Sequence, residues 1–266
     1  MLHIQALHQV FHPGDVNEIH ALRAIQLRIP SRQFVTIIGS NGAGKSTLFN
    51  AIAGVYLPTQ GSILIDGVDV TTWPEHSRAA WVGRVFQNPL SGTAASMTIA
   101  QNLTLALRRG QRLRLRSGVT EERRRQFQAA LAPLELGLED RLDTRVAQLS
   151  GGQRQALTLL MATLANPKLL LLDEHTAALD PATAQKILAL TVQMVGERPL
   201  TTLMITHNMQ QALIYGDRIL MMDNGRIILD LDAKEKAGLS VQDLVDKFSA
   251  VRHEPWFTDT VLLANA

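Results

Sequence analysis

Read from its amino terminus, the chain opens on two runs with strand-like pattern, Leu2–Phe11 and Ala21–Ile29, separated by HPGDVNE at His12–Glu18. Pro, Gly, Asp and Asn in that connection supply turn chemistry, so the pattern predicts neighbouring strands. A short apolar run over Gln33–Ile38 ends in glycine, and helical spacing follows from Lys45 to Ala53. Ile63–Ile65 and Val68–Val70 flank Asp66-Gly67, a dipeptide suited to the positive backbone angles of a two-residue hairpin. From about Asn88 to Leu164 the pattern becomes helical and more polar. Strand character returns at Leu169–Leu172, Leu200–Ile205, Ile219–Met222 and Ile227–Leu231, the last two joined by Asn224-Gly225. Leu169–Leu172 is apolar throughout, as a parallel strand covered on both faces requires. Strands alternating with helices predict an α/β domain with a helical insertion.

Composition narrows the choice of environment. A chain of 266 residues suffices for one large α/β domain. The absence of cysteine removes disulfide frameworks and thiolate metal sites. MLHIQALHQV lacks a basic leader followed by an apolar stretch and a cleavage site, so no signal peptide is expected. Ser46–Ile65 and Val85–Leu107 carry no charge, but Gly, Pro, Asn and Gln interrupt both, and neither reads as a membrane span. A role at a membrane would therefore need another chain to cross it. The net charge of +2 conceals a concentrated basic run, because Arg108–Arg125 holds eight Arg and two Glu. That run reads as a solvated face, or as contact with anionic lipid headgroups or a membrane partner. Nucleic acid is disfavoured, since no aromatic residues interleave the arginines as a stacking surface needs.

Two segments carry recognisable chemistry. Gly39–Thr47 reads GSNGAGKST between the predicted third strand and the first helix. Gly39, Gly42 and Gly44 let successive backbone N–H groups curl around phosphate oxygens, with Ser40, Asn41 and Ala43 completing the loop. Lys45 supplies a point charge for the β- and γ-phosphates, Ser46 a hydroxyl for Mg²⁺, and Thr47 a further phosphate contact. Leu169–Glu174 reads LLLLDE, an apolar strand ending in two acids. Asp173 is placed to hold Mg²⁺ and Glu174 to orient or deprotonate an attacking water. Farther on, Leu149–Gln153 reads LSGGQ; Gly151 and Gly152 open a helical pattern with Ser150 at its capping position.

With these motifs the whole chain resembles the ATP-binding cassette (ABC) ATPases. The resemblance implies a P-loop NTPase core with an antiparallel β subdomain and an inserted helical subdomain over about 88–164, in one ABC ATPase domain of residues 1–266. A short tail follows from about 234. It implies ATP and Mg²⁺ as cofactors and hydrolysis as the reaction. Gln87 in VFQNP matches the glutamine loop, which senses Mg²⁺ and water and borders the docking cleft for a transmembrane permease. His207 in ITHNM matches the switch histidine at the γ-phosphate, and Asp180 in AALDP the loop that crosses the dimer. Ser150, Gly151, Gly152 and Gln153 would close over ATP held by a second ATPase subunit. Phe11 reads either as a platform for adenine or as a core aromatic.

One position departs from the family pattern. His175 stands where proline usually follows the catalytic glutamate, giving DEHTAALD, and this resembles a smaller group of importer ATPases that work with an external binding protein. Some of that group carry amino acids. His175 itself reads as a satisfied structural histidine or as a group tuning the water or the dimer contact. The resemblance thus implies an energy-coupling subunit on the cytoplasmic face of a membrane, peripheral through its permease. A multi-chain exporter ATPase and a soluble ABC ATPase acting on nucleic acid or ribosomes are the alternatives. The second would ordinarily show two cassettes, a coiled coil or a zinc insertion, none of which this sequence has.

Overall fold

A computed structural model describes residues 1–111, 118–198 and 200–252, so Arg112, Arg114 and Arg116 of the basic run, and the tail beyond 252, lie outside the described residues. The chain divides into two compact units. Met1–Pro74 with the segment from Thr201 onward forms one, and Glu75–Leu200 forms the other.

In chain order, the first unit supplies β1 (Leu2–Phe11), β2 (Ile19–Ile29), β3 (Phe34–Gly39), α1 (Lys45–Ala53), β4 (Gln60–Ile65) and β5 (Val68–Asp69). The second unit contains α2 (Glu75–Arg78), β6 (Val82–Val85), α3 (Ile99–Leu107), α4 (Glu121–Leu131), α5 (Gly151–Thr163), β7 (Leu169–Asp173) and α6 (Pro181–Gly196). The chain then returns with β8 (Thr201–Ile205), α7 (Met209–Tyr215), β9 (Arg218–Asp223), β10 (Arg226–Leu231), α8 (Ala233–Lys236) and α9 (Val241–Arg252).

The first unit holds an antiparallel sheet in the order β2-β1-β4-β5. The strand β2 begins two residues earlier than the pattern predicts, because backbone pairing with β1 runs on to Phe11 opposite Ile19, whose side chain is exposed. Asp66 and Gly67 adopt the two positive φ angles, 54° and 79°, that a type I′ hairpin demands, and Asn224-Gly225 repeats the device at 46° and 74°. In the same unit β9 and β8 flank β3 in parallel, and β10 pairs antiparallel with β9. Every residue of β3 is buried, which suits a strand covered on both faces. The amphipathic helix α9 closes this core by setting Leu244 and Phe248 against Ile38, Ala212, Ile219 and Met221.

In the second unit β6 and β7 are parallel neighbours, with Arg84 opposite Leu171 and Val85 opposite Leu172. Their helices are capped from the sequence. Thr98 and Gln101 form a reciprocal capping box on α3, while Thr120 caps α4 and places Glu121 and Glu122 in its first turn. Buried Asn102 rivets the chain before α3, donating to the carbonyls of Ala94 and Thr98 and accepting from the Ala94 N–H. In the basic run Arg124 makes a two-pronged pair with Asp143 and Arg123 donates to the Gly118 carbonyl. Among the described residues no helix is long and apolar enough to cross a membrane.

Candidate functional site

The phosphate loop follows from where β3 ends. Gly39 leaves that strand against β9 so tightly that a Cβ would lie 2.2 Å from the Met222 carbonyl oxygen. Gly44, at φ 95°, caps α1 without a side chain, and a Cβ there would meet the Ala21 oxygen at 2.6 Å. Both positions thus require glycine for packing as well as for conformation. The turn between β9 and β10 braces the loop. Ser40 donates to Asp223 at 2.9 Å, Asn224 donates to the same carboxylate at 2.9 Å, and Gly225 N–H reaches the Ala43 carbonyl at 3.1 Å.

Lys45 is buried, and its ammonium donates to the carbonyls of Gly39 and Ser40, each at 2.9 Å. Both carbonyls are neutral acceptors that a phosphate would outcompete. Asn41, Gly42 and Ser46 are exposed and Thr47 is partly buried. With no side chain at the Gly44 cap to occupy the first N–H groups of α1, the helix start is available to an anion. These residues fit the phosphates of a nucleoside triphosphate. Phe11 stands at the end of β1 with Tyr56 edge-on to its ring, centroids 5.2 Å apart. Tyr56 escaped the sequence reading, since nothing in its position suggests that it meets Phe11. His207 is partly exposed in the turn between β8 and α7. That turn is fixed by Thr206 donating to the Gln211 side chain and by Asn208 capping α7.

In the second unit, Asp173 ends β7 almost wholly buried, and Glu174 follows with φ 46°. Two residues reach these acids from the β6 side. The Arg84 guanidinium lies 3.3 Å from an Asp173 oxygen and over the Phe86 ring, while Gln87 donates to Glu174 at 3.0 Å. Arg84 also escaped the sequence reading; its one signal is a charge set among the apolar residues of VGRVF. A cation against Asp173 is what a buried carboxylate requires. Among the described residues no cluster of three or more acids or histidines could enclose an ion by itself. Mg²⁺ commonly takes one or two carboxylates and completes its shell with phosphates and water, so this donor set fits it.

His175 is fully buried, and burial pushes its imidazole down to about 4, so the ring is neutral at ordinary pH. Its Nε2 lies 3.1 Å from the Thr191 hydroxyl, which itself donates to the Ile187 carbonyl at 2.7 Å. That hydroxyl proton being committed, Nε2 carries the hydrogen and Thr191 accepts it. His175 therefore ties the segment after Glu174 to α6.

LSGGQ starts α5. Ser150 Oγ accepts from the Gln153 N–H, and the Gln153 side chain accepts in return from the Ser150 N–H, both at 3.2 Å. The Gln153 amide also donates to the Leu136 carbonyl. At Gly152 a Cβ would lie 2.5 Å from the Thr183 methyl, so α5 and α6 approach as closely as they do only with glycine there. Asp180 caps α6, and hydrogen bonds from Thr183 hold its carboxyl below the usual range. Ser150, Gly151, Gly152 and Asp180 share the wall of one cavity of about 580 Å³ with Leu136 and Lys186.

Residues 22–177 match the family described as ABC transporter. The chain is 44% identical over 249 residues to the tyrosine transport ATP-binding protein of Clostridioides difficile (strain R20291), covering 93% of this chain and 98% of that one. It is 35% identical over 231 residues to the methionine import ATP-binding protein MetN of Escherichia coli (strain K12), of whose length it spans 64%. Among solved structures, the ATP-binding cassette MJ0796, a dimer in a post-hydrolysis state bound to ADP and Pi, superposes with a TM-score of 0.76 at 30% identity, over 88% of this chain and 99% of that one. The chain belongs to the ABC transporter family, as an ATP-hydrolysing, ATP-binding subunit.

Proposed function

We propose that the protein is the energy-coupling ATPase of an importer for amino acids or similar small solutes. The observation that carries this reading is the 44% identity, over nearly the whole length of both chains, to a tyrosine transport ATP-binding protein. In this reading the helical segment 88–164 is an inserted subdomain, and a permease docks near Gln87 and that subdomain. An external binding protein delivers the solute, and the subunit lies on the cytoplasmic face of the membrane.

The residues then take definite roles. Lys45 gives up the Gly39 and Ser40 carbonyls for phosphate oxygens, and the N–H groups of 39–47 surround the β- and γ-phosphates. Ser46, Gln87 and Asp173 would hold Mg²⁺, which would neutralise charge on the phosphates. Glu174, kept in place by Gln87, takes a proton from water as the water oxygen bonds to the γ-phosphorus and the bond to the β–γ bridging oxygen breaks. His207 contacts the γ-phosphate, and Phe11 supports the adenine. Ser150–Gln153 and Asp180 of a second copy close the site, so that ATP binding joins two subunits and hydrolysis parts them.

The test is a pull-down of tagged Glu174→Gln with ATP from detergent-solubilised native membranes. Co-purification of an amino-acid permease is the expected result. A permease-free complex rich in ribosomal or DNA-associated proteins would overturn the proposal.

A further inference from the structure

Arg84 takes no part in the roles above, yet its placement is specific. It lies opposite Leu171 in the parallel β6–β7 pair, and Asp173 is two residues farther along the same face. The arginine stem spans that step and brings Nη2 to 3.3 Å from the Asp173 oxygen, with both side chains 12% exposed. Phe86, two residues after Arg84, presents its ring to the same guanidinium, 4.5 Å from its centroid. An acid and an aromatic face thus both hold the guanidinium, and the second does not depend on the first. A planar, weakly hydrated cation suits both, where a lysine ammonium would favour only the acid.

We infer that Arg84 is the resident counter-cation of Asp173, ceding that carboxylate to Mg²⁺ when nucleotide arrives and remaining on the Phe86 ring. The inference rests on the assignment of Asp173 to Mg²⁺ proposed above. Its physical basis is competition. Asp173 and Glu174 are consecutive acids, and Asp173 is nearly buried; a divalent cation would be drawn to such a pair even without phosphates. A fixed positive charge against Asp173 lowers that attraction. The ion is then held only when the phosphates contribute their own charge, so metal loading is coupled to nucleotide loading. Arg84 acts through Asp173 and is a positioning residue.

The experiment is a titration of the nucleotide-free full chain with Mn²⁺, followed by electron paramagnetic resonance, in the parent, Arg84→Gln, Arg84→Lys and Asp173→Asn. Removing the competing charge should tighten Mn²⁺ binding in Arg84→Gln by at least about fivefold. Arg84→Lys, which keeps the charge, should stay within about twofold of the parent. An affinity in folded Arg84→Gln equal to or weaker than the parent's overturns the inference. Asp173→Asn separates the two levels of the argument. If it leaves the Mg²⁺ dependence of ATP binding intact, the assignment of Asp173 fails and the inference with it. If it abolishes that dependence while Arg84→Gln is unchanged, the inference alone fails. Should Arg84→Gln not fold, the Arg84 guanidinium nitrogen resonances of the parent decide the matter. They should shift on saturation with Mg²⁺ and ATP, and resonances that do not move contradict the exchange.

Discussion

The chain contains two glycine-rich helix starts, and they are built differently. At α1 the cap is Gly44, which brings no side chain to the first N–H groups, and a buried lysine waits on loop carbonyls. At α5 the cap is Ser150, engaged with Gln153 in a reciprocal box, and no lysine or arginine follows until Arg154, whose guanidinium turns back to the carbonyls of Val146, Ala147 and Leu149. The first start is thus a complete anion site, while the second offers dipole and backbone but has committed its N3 N–H. The difference supports the proposal that one chain holds nucleotide and a second closes over it.

Two changes probe this contrast, the larger first, with a control set between them. Lys45→Ala removes the one charge that distinguishes the two starts, and should weaken ATP binding by about a hundredfold while leaving the melting temperature near the parent value. Fluorescent-nucleotide titration checks it; a loss below threefold would place the binding energy in the backbone alone. The next is a control away from both helix starts. His175 binds its proton less readily folded than unfolded, so unfolded chains take up more protons between about pH 6.5 and 4, and stability falls as pH drops through that window. The loss attributable to this residue reaches roughly 3 kcal/mol near pH 4, and His175→Asn should flatten that part of a pH series of denaturation curves. The smallest effect belongs to Ser150→Ala, which should cost about 1 kcal/mol of stability through the lost cap and leave ATP affinity of the single subunit unchanged.

The same contrast shows what the sequence made legible. Structure built by backbone and glycine could be read directly. The type I′ turns at Asp66-Gly67 and Asn224-Gly225, the loop from Gly39 and the start of α5 all announce themselves through residues that few conformations need. Structure built by side-chain pairs could not. Arg84 meets Asp173 only because β6 lies beside β7, and those strands are more than eighty residues apart in sequence. His175 was visible as a departure from a pattern, but its neutral state depends on burial and on a threonine one helix away. Tyr56 reaches Phe11 across a gap about half as long.

The central claim is that ATP joins two copies through the α5 start. It is tested most directly by light-scattering mass measurement of Glu174→Gln, with and without Mg²⁺ and ATP, alone and combined with Gly151→Asp. A Cβ at residue 151 meets only Leu179, at an ordinary 3.5 Å, and an acid in the first turn favours the helix while repelling phosphate. The account predicts a dimer mass for Glu174→Gln with ATP and a monomer mass for the double variant, which still binds nucleotide. A double variant that dimerises with ATP as fully as Glu174→Gln would contradict it.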